Sequence, residues 1–286
     1  MTVTRTWQLE LNGLRMGAET AYRMRSTPEG LGMPAMRTND LPWLSVDGAY
    51  GAGDYLQPRL VRAQLAVMGS SPANAEQLAR TLVGAWRPSR TDVDLHVRLA
   101  GTDAYRLTGR PRRCELDMST LASSLVTAAV EFAALDPYLY AAELSGGTIQ
   151  LGSGSTTPGV IPNLTFDLEY QPAGTPSPGV VYANNAGSAP TYPTVTFTGP
   201  VDTPRLENRT TGQTLELNTT LVGGDELVVN NAARTVTLNG TSALQLLDTA
   251  SQWLELTPGA NEVAYRSADA TPTTSTALTT WRSAWY

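Results

Sequence analysis

The sequence predicts a two-domain, mainly β protein with a single packed helix, and three observations point there. The 286 residues exceed the roughly 100–200 typical of one domain. Charge is divided unevenly: residues 1–113 hold 15 arginines against ten acids, whereas residues 114–286 hold five against sixteen. Such asymmetry marks units with different neighbours. Composition also turns near residue 143, where Ser145–Asn163 reads SGGTIQLGSGSTTPGVIPN, a run that breaks regular structure. A boundary close to Glu143 is therefore expected, giving domains 1–143 and 144–286.

Elements before the boundary are mixed. Trp7, Leu9 and Leu11 alternate with polar neighbours, and Asn12-Gly13 then supplies a hairpin turn. Ser71 can cap a helix, Pro72 suits its first position, and Ala75, Leu78, Ala79, Leu82, Val83 and Trp86 recur at helical spacing. A helix over about 72–86 follows. Asp92–Leu99 alternates strictly and predicts a half-buried strand. The Ala-rich stretch 126–134 fits strand or helix on pattern alone. After the boundary almost everything reads β: Leu164–Tyr170, Thr214–Leu217, Leu227–Val229, Thr235–Leu238, Leu254–Leu256 and Val263–Tyr265, separated by Gly-Gly, Asn-Asn, Asn-Gly and Pro-Gly turns. That spacing and the abundance of Thr suit a sandwich or barrel.

Composition removes most chemistry. One cysteine, Cys114, excludes an intramolecular disulfide framework, and one histidine, His96, excludes a His-rich metal site. All 20 basic residues are arginine, which is read as a trait of the coding genome; a net charge of −6 argues against a dedicated nucleic-acid binder. The start lacks the apolar run of a secretory signal, and no uncharged apolar stretch is long enough to span a membrane. A soluble protein of a reducing compartment is expected, without catalytic residues, cofactor or metal.

His96 is the sole base available to a catalytic triad, but it shares a strand face with Asp92, Asp94 and Arg98, where local charge pairing is the ordinary reading. Ligands two apart on one strand stand about 7 Å from one another, too far for compact chelation. Cys114 has arginine neighbours that can depress a thiol pKa, yet a buried, inert cysteine is the simpler account. Asp225-Glu226 sits in a turn entering a strand, where acids are common. Trp253, Trp281 and Trp285 can form a sugar platform, although strand-like surroundings favour core packing. The cluster Arg110, Arg112 and Arg113 is the densest positive patch, best explained by arginine–carboxylate contacts across a protein interface.

An ordered set of motifs resembles the distal tail protein (Dit) family of siphoviruses, also described as siphovirus-type tail components or phage minor tail proteins. The first domain contributes the glycine-rich Val46–Tyr55, the strand-like Arg59–Met68, the helix, Gly109-Arg110-Pro111 and the closing Phe132–Tyr140. The second contributes Pro193–Gly199, Asn208–Leu217, Gly224–Asn230, Arg234–Gly240, Trp253–Tyr265 and Thr280–Tyr286. The resemblance tips 126–134 toward strand.

The resemblance implies a non-enzymatic virion protein at the phage tail tip, assembled in the host cytoplasm without membrane insertion. It implies a tail-tube-like β domain that builds a ring, usually hexameric, and a galectin-like β-sandwich facing outward. Implied partners are further copies of the chain, the tail tube protein, the tail-tip hub protein and receptor-binding proteins, with DNA only as transiting cargo. The alternative is a carbohydrate- or receptor-binding module, but galectins bind sugar through a histidine-containing strand and residues 144–286 contain no histidine. The stretch Gly30–Tyr55 is too long for an ordinary connector. Asp47, Tyr50, Asp54 and Tyr55 within it, together with Arg110, Arg112 and Arg113, are the expected interface residues.

Overall fold

A computed structural model describes residues 5–101, 103–151, 179–268 and 274–286; the expected strand Leu164–Tyr170 lies outside them. The chain divides into two compact units, Met1–Glu143 with Ala284–Tyr286, and Leu144–Ser283. Each is mainly β, and the described residues contain one α-helix.

The first unit begins with β1 (Gln8–Leu11) and β2 (Leu14–Gly17), joined by Asn12-Gly13 with positive φ at both positions. Next come β3 (Tyr22–Met24) and the long β4 (Arg59–Met68), in which residues of one parity are buried. Helix α1 (Pro72–Ala85) starts where the Ser71 side chain accepts the Asn74 N–H at 3.2 Å. It buries Ala75, Ala79 and Leu82 and stops at Trp86. Strands β5 (Val93–Arg98), β6 (Tyr105–Asp117), β7 (Leu125–Ala134) and β8 (Leu139–Ala141) complete this part of the chain. The sheet order is β2-β1-β5-β6-β7-β4-β3, with β8 also on β6. The 126–134 stretch is thus a strand. In β7, Ala128, Val130 and Phe132 face the core while their partners on β4 supply Leu65, Ala63 and Val61.

Two details of β6 follow from local sterics. A Cβ on Gly109 would lie 2.1 Å from the Ala133 carbonyl oxygen, so only glycine allows β7 this close. Register slips by one residue between Pro111 and Arg113, placing proline beside a bulge, where its missing N–H does least harm.

The second unit holds β9 (Ser145–Gln150), β10 (Val180–Asn185), β11 (Thr194–Thr198), β12 (Arg205–Asn208), β13 (Gln213–Glu216), β14 (Glu226–Asn230), β15 (Thr235–Leu238), β16 (Gly259–Arg266) and β17 (Thr276–Trp281). One sheet runs β9-β17-β11-β14-β15 and a second β10-β16-β12-β13. Their inner faces share one core. Ile149, Val195, Phe197, Leu227, Val229 and Ala277 come from the first sheet; Ala183, Leu206, Leu215, Val263 and Tyr265 come from the second. Phe197 and Tyr265 meet at 5.4 Å between ring centroids. This is a β-sandwich.

The chain ends in β18 (Ala284–Trp285), which pairs antiparallel with β8 inside the first unit. The Trp285 ring stands edge-on to Tyr105 at 5.3 Å.

Leu254–Leu256, expected as a strand, is extended and alternates in burial but joins no sheet. Amide side chains take the place of a partner strand. Asn231 accepts the Leu254 N–H at 2.8 Å, and Gln213 accepts the Glu255 N–H at 2.8 Å. Asn208 donates to the Glu255 carbonyl at 2.6 Å and Asn185 to the Leu256 carbonyl at 3.1 Å. Only Thr191 and Leu256 exchange backbone bonds, as an isolated bridge. All three asparagines are buried, so each removed amide strands a peptide group away from water. Asn208→Ala is expected to cost about 1–3 kcal/mol, read as a lower urea midpoint with unchanged slope; an unchanged midpoint would show that water replaces the amide.

Candidate functional site

The segment between β3 and β4 forms an arm. Met36–Arg37 pairs with Tyr55–Leu56, and Leu41–Pro42 pairs with Ala49–Tyr50, as two short antiparallel ribbons. The Trp43 N–H donates to the Gly48 carbonyl at 3.0 Å, and Gln57 N–H donates to Ala35 at 2.8 Å. The Trp43 and Tyr50 rings meet edge-on at 5.7 Å, and Arg37 lies 5.5 Å over the Tyr55 ring. These contacts stay within the arm and leave its apolar side chains in water. Leu44 is wholly exposed, and Leu41, Val46 and Tyr50 each keep 66% of their surface. Contiguous apolar exposure of this kind marks an interaction surface.

The arm springs from a sealed base. Arg59, the first residue of β4, is 1% exposed. Its Nε donates to the Pro137 carbonyl at 2.8 Å, and its Nη1 donates to Gly30 at 2.9 Å and to Gly32. Burial lowers its pKa, and Nη2 has no acceptor among the described residues. Gly30 has φ +83°, and a Cβ there would lie 1.9 Å from the Leu60 oxygen, so the chain can leave the sheet here only through glycine. Next to it, Glu29 and Arg62 exchange backbone bonds at 2.8 and 3.2 Å.

Of the expected interface residues, Asp47, Tyr50, Asp54 and Tyr55 all fall on the arm and are exposed. The arginine cluster is a separate group on β6. Arg110 pairs with Asp92 at 2.7 Å, and Arg113 pairs with Glu115. Arg112, the bulge residue, is exposed and forms no ion pair among the described residues. Sequence reasoning missed Trp43, Leu44 and Val46, whose signal is apolar bulk inside a glycine-rich stretch. It also missed Arg59, although Arg59 shares the parity of the buried Val61, Ala63, Leu65 and Val67.

The chemical candidates resolve into structure. His96 lies between Glu10 on β1 and Arg106 on β6. Burial lowers its pKa, with Asp94 and Glu10 opposing that shift. Asp94 takes Arg106 at 2.9 Å and the Thr108 hydroxyl at 2.8 Å. Burial alone would raise Asp94, but these hydrogen bonds and the Arg106 and His96 charges outweigh it and hold the carboxyl below its usual range. Cys114 is half-buried, and burial pushes its thiol up, away from a reactive thiolate. Of the tryptophans, Trp281 is buried with its Nε1 donating to the Asn184 carbonyl at 2.9 Å, Trp253 packs half-buried against the second unit's core, and Trp285 packs against the first unit's core. Among the described residues, no three His, Cys, Asp or Glu side chains are grouped to hold a metal ion. None of their helices is long and apolar enough to cross a membrane.

Two outcomes test this geometry. Arg59→Ala should speed amide exchange at residues 30–35 and 137–140 while leaving the second unit's protection unchanged; uniform loss across both units would refute a local clasp. Because the folded state favours ionised Asp94, that stabilisation is present at neutral pH and lost as pH falls through the depressed folded pKa. Asp94→Asn should therefore destabilise fully at pH 7, progressively less as pH falls below the ordinary carboxylate value near 3.9, and little once pH is below the depressed folded pKa; an equal loss at every pH would contradict this.

Comparison with known proteins bears out the Dit resemblance. Residues 186–285 match the family described as siphovirus-type tail component, C-terminal domain. In fold the chain is similar to the Dit protein of phage SPP1, described as a paradigm of the hub adsorption apparatus in phages infecting Gram-positive hosts. The TM-score is 0.66 at 14% identity, covering 96% of this chain and 98% of that one. It is also similar to a chain of the phage p2 baseplate in its activated conformation with calcium, with TM-score 0.52, 13% identity and coverage of 96% and 97%. The strontium form of that baseplate gives 0.51, 13% and 96% of each chain. No curated protein sequence matches the chain.

Proposed function

Since residues 186–285 match the siphovirus-type tail component C-terminal family, we propose that this chain is a structural subunit of a phage distal tail ring. The observation that carries this is the match in fold over 96% of the chain to a hub protein. Six copies close head-to-tail through their first units, with the arm residues Asp47, Tyr50, Asp54 and Tyr55 and the free Arg112 guanidinium in the subunit contacts. A cyclic ring requires such heterologous contacts, in which one patch meets a different patch on the next copy. Arg110 and Arg113 are already ion-paired within the subunit, Arg110 to Asp92 beside β5 and Arg113 to Glu115 on β6 itself, and lie at the edge of these contacts.

The ring joins tail tube to tail-tip hub, and the sandwich, galectin-like in the family resemblance, supports receptor-binding components. DNA crosses the central channel as transiting cargo. The chain performs no catalysis, and the virion tail tip is its place of action.

Native mass spectrometry of the purified protein tests the ring. A closed oligomer of six is expected, and Trp43→Ala with Leu44→Glu should shift it to monomer while the circular dichroism spectrum stays unchanged. A wild-type protein that is monomeric at every concentration, and absent from the virion tip, would overturn the proposal.

A further inference from the structure

The first unit carries a tyrosine cluster at β8 and β18, away from the arm tip. Leu139 of β8 and Trp285 of β18 are paired in register, and both pack into the core. Side chains alternate along a strand, so Tyr138 and Tyr140 flanking the one, and Tyr286 beside the other, turn to the opposite face. There the Tyr138 ring meets Tyr140 at 6.5 Å between centroids, inclined by 70°, and Tyr286 at 5.7 Å, inclined by 58°. The fourth corner is Ala284, paired with Tyr140, so a methyl group completes the square and no fourth bulky side chain crowds it. Tyr286 is 44% exposed, while Tyr138 and Tyr140 are half-buried.

One carboxylate is held beside these rings. Asp136 accepts the Tyr138 N–H at 3.1 Å through Oδ1 and the Tyr140 hydroxyl at 2.8 Å through Oδ2. Arg106 lies across from Tyr140 on β6. Its guanidinium is turned the other way, to Asp94 on β5 at 2.9 Å. The backbone under the cluster is fixed from several sides. Arg59 holds the Pro137 carbonyl at 2.8 Å, and β8 is paired to β6 on one side and β18 on the other. The rings therefore need little ordering to receive a ligand.

Negative ring faces beside a carboxylate attract a cation. We propose that Tyr138, Tyr140, Tyr286 and Asp136 bind a quaternary ammonium group, as carried by choline. Ring spacings of 5.7 and 6.5 Å leave one cation within about 6 Å of more than one centroid, the range over which cation–π attraction acts. The kind of cation follows from the hydrogen bonds. A primary ammonium or a guanidinium brings several N–H donors that need acceptors. Both Asp136 oxygens already accept bonds from the cluster itself. A trimethylammonium group has no N–H to satisfy and presents methyl groups to the rings. All four residues belong to the first unit of one copy, so the site does not depend on ring closure.

Choline chloride is the probe, titrated into the full chain by calorimetry, with its uncharged carbon analogue neohexyl alcohol and with arginine amide as comparisons. Choline should bind about tenfold more tightly than the alcohol. Tyr138→Leu keeps apolar bulk but removes a ring face, and Asp136→Asn removes the charge. Each should weaken choline binding about tenfold with the circular dichroism spectrum unchanged. Tyr286→Leu, at the most exposed of the three rings, gives the same readout if Tyr138→Leu does not fold. Equal affinity for choline and the alcohol would reduce the site to an apolar notch. Arginine amide binding as tightly as choline would assign it to a guanidinium. Either result overturns the proposal, as does a wild-type chain that binds no choline, and none of them bears on the ring.

Discussion

The guanidinium of Arg59 is sealed inside the first unit with no carboxylate beside it among the described residues. A buried charge in that position would be costly without strong hydrogen bonds, and three carbonyl oxygens supply them. Those carbonyls belong to Gly30, Gly32 and Pro137, far apart in sequence and meeting at one end of β4. One side chain therefore fixes where the arm departs and where the chain turns after β7 toward β8. The turn is carried onward by Tyr138, whose ring meets Tyr286 at 5.7 Å, and by β8, which pairs with the terminal strand. The arm base and the turn that leads into β8 are thus held by one clasp.

The second unit solves a different problem. Its core is ordinary sandwich packing, but Leu254–Leu256 joins neither sheet. Buried asparagines meet its peptide groups instead, which is a directional and sequence-specific solution. Asn261 does the same within one turn, accepting the Thr257 N–H at 3.0 Å and donating to the Thr257 carbonyl at 2.7 Å. Amide side chains carry both donor and acceptor, so each can satisfy both kinds of peptide group. Polar burial in this unit therefore fixes chain path, while its apolar residues fix thickness.

Much of this was legible in residue order. Alternation located β5 and most of the sandwich strands, and Ser71-Pro72 located the helix start, because those signals are local. The Ala-rich β7 was ambiguous because alanine suits either element, and only its partners β4 and β6 decide. Leu254–Leu256 alternates like a strand, but alternation reports burial and not pairing. Two-residue β18 carries no pattern at all; its partner Leu139-Tyr140 is far away in sequence. The exposure of the arm's acidic and aromatic residues was legible from the length of the segment that carries them.

The central claim is that this fold works as one copy in a closed ring around a channel. An image reconstruction of the virion tail tip, with this chain located by an epitope label, addresses it directly. The account predicts six copies about the tail axis, first units innermost and arms reaching to the adjacent copy. A single copy per tip, or copies placed away from the axis with no mutual contact, would contradict it.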